Sequence, residues 1–238
     1  MSTHTLGSRA ERHFRTRVAI SPHWLWLAGG LLLAFTLPYV LTDVLDINRD
    51  VFYGCYAFAA ITLVVAWARA TGYDLVAAIR RRWIWATVLG VLCGALLAVM
   101  VVRTEAATAR PDGLNLITAV GWRGIVYGLT DGLFLSAFPI LVVFAAFARS
   151  RLNNRFRGRV LIGAVALAAS LLMTAVYHAG YSDFRSAKLK KPVTGDAIWS
   201  VPTLVTLNPI GAPIAHAGLH VSAVLHSYET DTFLPPHN

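Results

Sequence analysis

The feature that most constrains this chain is a series of long apolar runs separated by short charged segments. A helix needs about 20 predominantly apolar residues to cross the hydrocarbon core of a bilayer, and several runs approach that length. The chain is 56% hydrophobic and only 14% charged. Soluble domains are about 45–50% apolar and about 25% charged. The sequence therefore predicts an all-α fold, a polytopic helical bundle in a membrane.

Six apolar segments predict about six transmembrane helices. They cover residues 24–41, 51–68, 83–102, 124–148, 160–181 and 197–226. The last segment is interrupted by Pro202, Pro209 and Pro213, and each proline removes a backbone donor and clashes with the preceding turn. We expect an irregular or re-entrant segment up to Asn208, followed by a final helix over 209–228. Irregular backbone at membrane depth requires a cover of protein or a wet cavity.

The basic residues predict the orientation. Of the 21 lysines and arginines, 13 lie before the first segment, between the second and third, or between the fourth and fifth. The positive-inside rule makes that side cytoplasmic, with both termini inside and the chain integral to the plasma (inner) membrane. The predicted organisation is a basic cytoplasmic segment (1–21), one transmembrane domain (22–228) and a short tail (229–238). Residues 70–82 predict a short interfacial helix.

The basic clusters also bear on partners. They lie between apolar runs and lack the interleaved aromatic residues of a nucleic-acid surface, so we expect no nucleic-acid partner despite the net charge of +9. The partner that the sequence predicts directly is the lipid bilayer.

One acid lies within a predicted span. Asp131, in GIVYGLTDGLFLSAFP, is about seven residues into the fourth segment, roughly 10 Å from its outer end. A charged residue at membrane depth costs a few kcal/mol and marks a functional candidate. The alternative is an ion pair with Arg123 or a bond to a neighbouring helix. Gly128 and Gly132 favour close helix approach in either case.

Three histidines lie in the stretch PIAHAGLHVSAVLH. His216 and His220 are four residues apart, so their side chains share one helix face, and such pairs can coordinate one metal ion. His226 is about 80° away from that face, and we interpret it as interfacial. His178, in LLMTAVYHAGYSDFR, lies near the outer end of the fifth segment; its alternative role is a hydrogen-bonded ring at a helix end.

Depth along the helices suggests that these residues share one pocket. At 1.5 Å per residue, Asp131, His216 and His220 reach comparable depths in the outer half of the membrane, with His178 shallower. We predict a metal-ligand set of Asp131, His178, His216 and His220, with Asp131 and His178 in catalytic roles. Three imidazoles and a carboxylate suit zinc or another first-row divalent metal, or a metal-free acid–base site.

Residues 115–228 resemble the CPBP family, the CAAX-protease and bacteriocin-processing group of intramembrane proteases. TAVYHAGY is similar to the family's Phe-x-x-x-His motif, with His178 as its histidine. APIAHAGLHVSA is similar to the His-x-x-x-Asn motif, with His216 first and His220 in the asparagine position. GWRGIVYGL is similar to the end of the Glu-Glu-x-x-x-Arg motif, with Arg123 as the arginine.

The acidic part of that pattern is absent. Thr118 and Ala119 occupy the positions of the paired glutamates, and Thr174 occupies that of the phenylalanine. The resemblance implies a glutamate that activates water for peptide hydrolysis, and Asp131 is the intramembrane acid that remains. It lies eight residues after Arg123, about 80° around the helix, so it is no simple substitute.

Four functions stay open from the sequence. The first is a CPBP-like metal-dependent hydrolase or peptidase acting on a membrane peptide or lipid-linked substrate. The second is a non-catalytic membrane subunit that retains the fold alongside membrane protein partners. The third is a haem-binding membrane protein with axial histidines such as His178 and His216. The fourth is a transporter, which the proline-broken segment favours and the lack of repeat symmetry disfavours.

Overall fold

A computed structural model describes residues 21–229, and no β-strand occurs within that range. Five helices are long and apolar enough to cross a membrane. The predicted all-α bundle is therefore confirmed. The predicted N-terminal segment and tail fall outside the described residues except for Ser21 and Glu229. In chain order the helices are α1 Pro22–Val44, α2 Arg49–Thr71, α3 Leu75–Arg80, α4 Trp83–Thr104, α5 Gly113–Ala146, α6 Phe156–Ala179, α7 Lys190–Trp199, α8 Val201–Thr206 and α9 Gly211–His226.

The prediction of about six spanning helices was one too many for the described residues. The last apolar segment divides into the end of α7, the short helix α8 and helix α9. Helix α9 has 16 residues, so it is about 24 Å long, less than the roughly 30 Å of a bilayer core. The prolines explain the division: Pro202 stands at the start of α8, and Pro213 lies in the first turn of α9, where a missing N–H is tolerated.

The turn between α8 and α9 is irregular, as predicted, and protein covers it. Helix α8 ends at Thr206, and Leu207 after it has a left-handed φ of 54°. The next residue, Asn208, is fully buried. Its side-chain amide donates to the carbonyl oxygens of Ile79 and Arg81 at 2.8 and 2.6 Å, and its Oδ1 accepts from the backbone N–H of Ile210 at 3.0 Å. The turn is thereby tied to the segment that joins α3 and α4.

Helix α5 begins earlier than the sequence predicted. It runs for 34 residues from Gly113, and the polar residues of its first turns explain why hydropathy placed its start at residue 124. Asp131 consequently lies near the middle of α5. Two π-helical stretches, Val120–Val126 and Gly132–Ala137, lie before and after it. Such π-turns occur frequently at functional sites.

Helix α9 packs closely against both α4 and α5 because small residues line the contacts. A Cβ added to Gly218 of α9 would lie 2.8 Å from the Cα of Gly94 on α4. A Cβ added to Gly128 of α5 would lie 2.7 Å from the Cα of Ala217. The opposite face of α5 joins α1, α2 and α6 in an aromatic-rich core. Helix α9 is therefore held at backbone contact beside the part of α5 that carries Asp131.

Candidate metal centre

Asp131 of α5 faces two histidines of α9. Its Oδ2 lies 3.8 Å from Nε2 of His216 and 3.5 Å from Nε2 of His220. Each of the three residues is 2% exposed. One candidate ligand atom from each residue lies within 4.8 Å of the other two. The structure therefore brings together three of the four residues that the sequence predicted as ligands.

The two histidines point the same way because they are one helical turn apart. Their rings stack with centroids 4.8 Å apart and an interplanar angle of 22°. The close contact with α5 supplies the third residue: a Cβ on Gly132, next to Asp131, would lie 2.5 Å from the Cα of Pro213. The glycine thus allows the carboxylate to reach the histidine face.

Several polar atoms of this group have no hydrogen-bond partner within residues 21–229. They are His216 Nδ1 and both ring nitrogens of His220. The carboxylate of Asp131 lies beside the buried hydroxyl of Tyr56, which is a potential donor to it. Buried polar side chains nearly always have a partner, because an unpaired one costs about 1–3 kcal/mol. A further group is therefore expected to satisfy them.

The separations fit a metal ion. Two ligands bound at about 2.0–2.1 Å to a tetrahedral ion lie roughly 3.4 Å from each other. The observed distances of 3.5 and 3.8 Å from Asp131 to the two histidines are close to that value. Two imidazoles and one carboxylate form the donor set of many catalytic zinc sites and of non-haem iron(II) sites. These three residues could hold such an ion.

His178 lines the same cavity but does not belong to the ligand group. Its Nδ1 lies 2.8 Å from the carbonyl oxygen of Thr174. Because that oxygen only accepts, Nδ1 carries the proton, and Nε2 is the acceptor of the neutral ring. The rings of Tyr177 and Phe184 contact the imidazole at centroid distances of 5.2 and 5.0 Å. His178 is thus held in one orientation beside the trio.

A cavity of about 290 Å³ connects these residues. Asp131, His178, His216 and His220 form one part of its surface. Apolar side chains of α4 and α9 form another, and residues of α7 complete it. The lining residues outside the four are Leu97, Met100, Val101, Thr104, Phe184, Lys190, Lys191, Pro192, Thr194, Gly195, Trp199 and Leu219.

An aromatic ring supports each histidine of the pair. Trp199 of α7 stacks on His216 with ring centroids 4.0 Å apart and an angle of 20°. Tyr127 of α5 meets His220 edge to face at 4.9 Å. The Tyr127 hydroxyl is 2.9 Å from that of Tyr177, which in turn accepts from Tyr181 at 2.7 Å. The ligand face is thus packed from both sides.

Sequence reasoning missed a second buried acid, Asp196 of α7, which is fully buried. It was missed because it lies one residue before the last apolar segment. Asp131 is therefore not the sole buried acid among the described residues. Its carboxylate accepts hydrogen bonds of 2.6–3.0 Å from four hydroxyl groups, those of Ser136, Ser170, Thr174 and Ser200. These bonds join α5, α6 and α7 behind the cavity. The hydroxyl-rich spacing of Ser170 and Thr174 on one face of α6 was the signal available in the sequence.

Two other predicted residues lie away from the cavity. Arg123 pairs with Asp50 through two bonds of 2.9 and 2.8 Å and donates to the hydroxyl of Tyr228 at 2.7 Å. The alternative of an Arg123–Asp131 pair is therefore wrong. His226 is half-buried at the end of α9, with its Nε2 3.1 Å from the carbonyl oxygen of Glu105.

No protein-family model, curated protein or solved structure matches this chain. The site is therefore interpreted from its own geometry.

Proposed function

We propose that this chain is an integral membrane metal-dependent hydrolase with a CPBP-like arrangement of its last helices. The observation that carries the proposal is the convergence of Asp131, His216 and His220 on one point beside His178 in one cavity. The two histidine motifs behind the family resemblance lie 38 residues apart or more, yet their histidines share this cavity. That co-location supports the resemblance in the part of the chain where its motifs were found.

The residues divide into two roles. Asp131, His216 and His220 hold a divalent ion, zinc being the natural first choice for this donor set. Such an ion, when bound, supplies Lewis acidity for the activation of water and the polarisation of a carbonyl or phosphoryl oxygen. His178 accepts a proton at Nε2, because its Nδ1–H is committed to Thr174.

Asp131 takes the place of the missing glutamate pair in this account. It enters the cavity from α5, the helix on which the family's acidic motif is expected, but from a position more than three turns after Thr118 and Ala119. Arg123 does not contribute, since it is committed to Asp50 and Tyr228. The departures from the family pattern are the missing glutamate pair, the pairing of Arg123 with Asp50, Thr174 in the phenylalanine position and His220 in the asparagine position.

The substrate class follows from where the cavity lies. Helix α4, which supplies the apolar wall, exposes many large apolar side chains, as a lipid-facing helix does. A membrane peptide or lipid-linked molecule can reach the cavity along this wall. We place the protein in the plasma (inner) membrane with its N-terminus cytoplasmic, supported by the distribution of basic residues. The end of α9 lies beside the loop between α4 and α5, on the opposite side, because His226 and Glu229 contact Glu105 and Thr108. The expectation of a cytoplasmic C-terminus is therefore replaced by an outer one. Reporter fusions at each terminus test that orientation.

The test is hydrolysis of amphipathic reporter substrates with peptide, carboxylic-ester or phosphate-ester linkages. We expect metal-dependent turnover of at least one class by the purified protein, lost in Asp131→Asn and in His178→Ala. His226→Gln, on the same helix as the ligand pair but outside the cavity, is the matched control and should retain turnover. Equal activity in wild type, Asp131→Asn and His178→Ala would contradict the proposal and favour the non-catalytic subunit.

A further inference from the structure

The exposed part of the cavity surface combines charged and apolar side chains. Lys190, Lys191 and Thr194, at the beginning of α7, are exposed. Met100, on the outward side of α4, is also exposed, at 37%. The four ionisable residues of the centre lie deeper, at 2–7% exposure. We call the exposed part of the lining with Lys190 and Lys191 the cationic outlet and the part with Met100 the apolar outlet. The metal centre lies deeper than both.

In the cationic outlet, one of the two lysines has no acidic partner within the described residues. Lys191 pairs with Glu105 at 3.0 Å, and Lys188, outside the cavity lining, lies 3.8 Å from Asp183. Lys190 makes no ion pair within residues 21–229. An anion at this outlet would meet Lys190 directly and find Lys191 within the same lining.

The apolar outlet continues into the cavity as a wall of apolar side chains. Leu97 and Val101 are buried on α4, Met100 leads outward from them, and Leu219 of α9 faces the same space. Burial of a hydrocarbon chain against such a surface is favourable at about 0.8 kcal/mol per methylene. The volume of about 290 Å³ lies at the lower limit of small-ligand sites, about 300–1,000 Å³. A space of this size can take part of one chain and its junction with a head group.

We propose that the cavity binds a single-chain amphiphile with an anionic head group. The head group lies against Lys190, the chain lies along the α4 wall, and the metal centre lies at the deeper end of the same cavity. That this ligand is the substrate rests on the proposed function, whereas its binding does not.

Trp199 provides the reporter, since its indole lines the cavity. A bromine-labelled alkyl chain bound there quenches the Trp199 emission. The protein in lipid nanodiscs is titrated with a brominated alkyl phosphate, a brominated fatty acid and a brominated alcohol. Because the chain has seven tryptophans, the specific signal is the quenching that wild type shows and Trp199→Phe lacks.

We expect saturable quenching by the phosphate and the carboxylate, and weak quenching by the alcohol. Lys190→Gln should weaken binding of the anionic probes roughly tenfold, the loss for one charge-assisted contact worth about 1.4 kcal/mol. Lys188→Gln is the matched control and should leave binding unchanged. Met100→Trp, which narrows the apolar outlet, should weaken binding of all chains.

Three outcomes overturn the inference: equal quenching by the alcohol, no effect of Lys190→Gln, or displacement of the alkyl phosphate by inorganic phosphate alone. The last would indicate a small-anion site. The binding titration requires no turnover, which separates this proposal from the hydrolase. Saturable quenching by the anionic probes in a wild type that hydrolyses no reporter would retain the binding inference and contradict the hydrolase alone.

Discussion

Trp199 lies face to face with His216, and a hydrogen bond on its far edge fixes that position. The ring centroids are 4.0 Å apart, and the indole N–H donates to the hydroxyl of Ser136 at 2.8 Å. Ser136 in turn donates to the carboxylate of Asp196 at 2.6 Å. The buried acid behind the cavity is thereby connected to a proposed metal ligand through one aromatic ring.

Ser136→Ala tests this connection. The substitution removes the acceptor that holds the indole while leaving Asp196 three other hydroxyl donors. We expect the metal affinity to fall about 2- to 10-fold, which corresponds to the roughly 0.5–1.5 kcal/mol of an aromatic stacking contact. Metal titration with Trp199 emission as a second signal measures it. An unchanged affinity together with a shifted emission would show that the indole moves without influence on His216.

Asp196 is expected to be a strong determinant of stability. Asp196→Ala leaves several buried hydroxyls without their acceptor, at about 1–3 kcal/mol for each unsatisfied group. We predict a large loss of thermal stability in detergent, and a smaller loss for Asp196→Asn, which keeps one acceptor oxygen. Asp112→Ala is the control, since Asp112 is exposed and its side chain makes no capping bond. Equal melting temperatures for Asp196→Ala and Asp112→Ala would contradict this prediction.

The contact of α5 with α9 sets the geometry of the candidate metal centre. In Gly132→Ala the new Cβ would lie 2.5 Å from the Cα and 2.6 Å from the N of Pro213, both backbone atoms that cannot yield cheaply. The helices must separate, so both stability and metal affinity should fall. Gly121→Ala, on the same helix with nothing within 4 Å of the added Cβ, should be neutral or slightly stabilising. Retained metal affinity in Gly132→Ala would show that the trio tolerates a wider spacing.

His178 and Arg123 distinguish the proposed roles from those that the family motifs imply. We expect His178→Ala to retain its metal, because His178 lies outside the ligand group, but to lose turnover. Arg123→Gln should cost about 1 kcal/mol or less, since its pair with Asp50 is partly exposed, and should change neither metal content nor turnover. Metal analysis of both variants distinguishes these roles. Loss of the ion from either variant would indicate that the substituted residue is a metal ligand.

The sequence predicted the parts of the structure that depend on local pattern. Hydropathy located α2 and α4 to within a few residues, and the four-residue spacing of His216 and His220 indicated their shared face. The start of α5 was missed because Asn115, Thr118 and Arg123 reduce the local hydropathy there. The length of α9 was overestimated, since apolar composition cannot distinguish a buried short helix from a spanning one.

The network around Asp196 could not be predicted from spacing. Its partners Ser136, Ser170 and Thr174 are 60, 26 and 22 residues away along the chain, and only the packing of α5, α6 and α7 brings them together. The same packing removed Arg123 from the centre, because α2 supplies Asp50 as a nearer partner. Local pattern identified the metal candidates, whereas tertiary contacts determined which residues support them.

The central claim is that Asp131, His216 and His220 bind one divalent ion, and metal stoichiometry tests it most directly. Protein purified without chelators, then stripped and titrated with Zn²⁺ or with Co²⁺ as a spectroscopic probe, should bind one ion per chain. Asp131→Asn and His220→Ala should reduce the affinity at least about tenfold, and His226→Gln should not. Absence of a bound ion in the wild type, or equal affinity in all four proteins, would contradict the account, and a Soret band in the purified protein would replace it with haem binding.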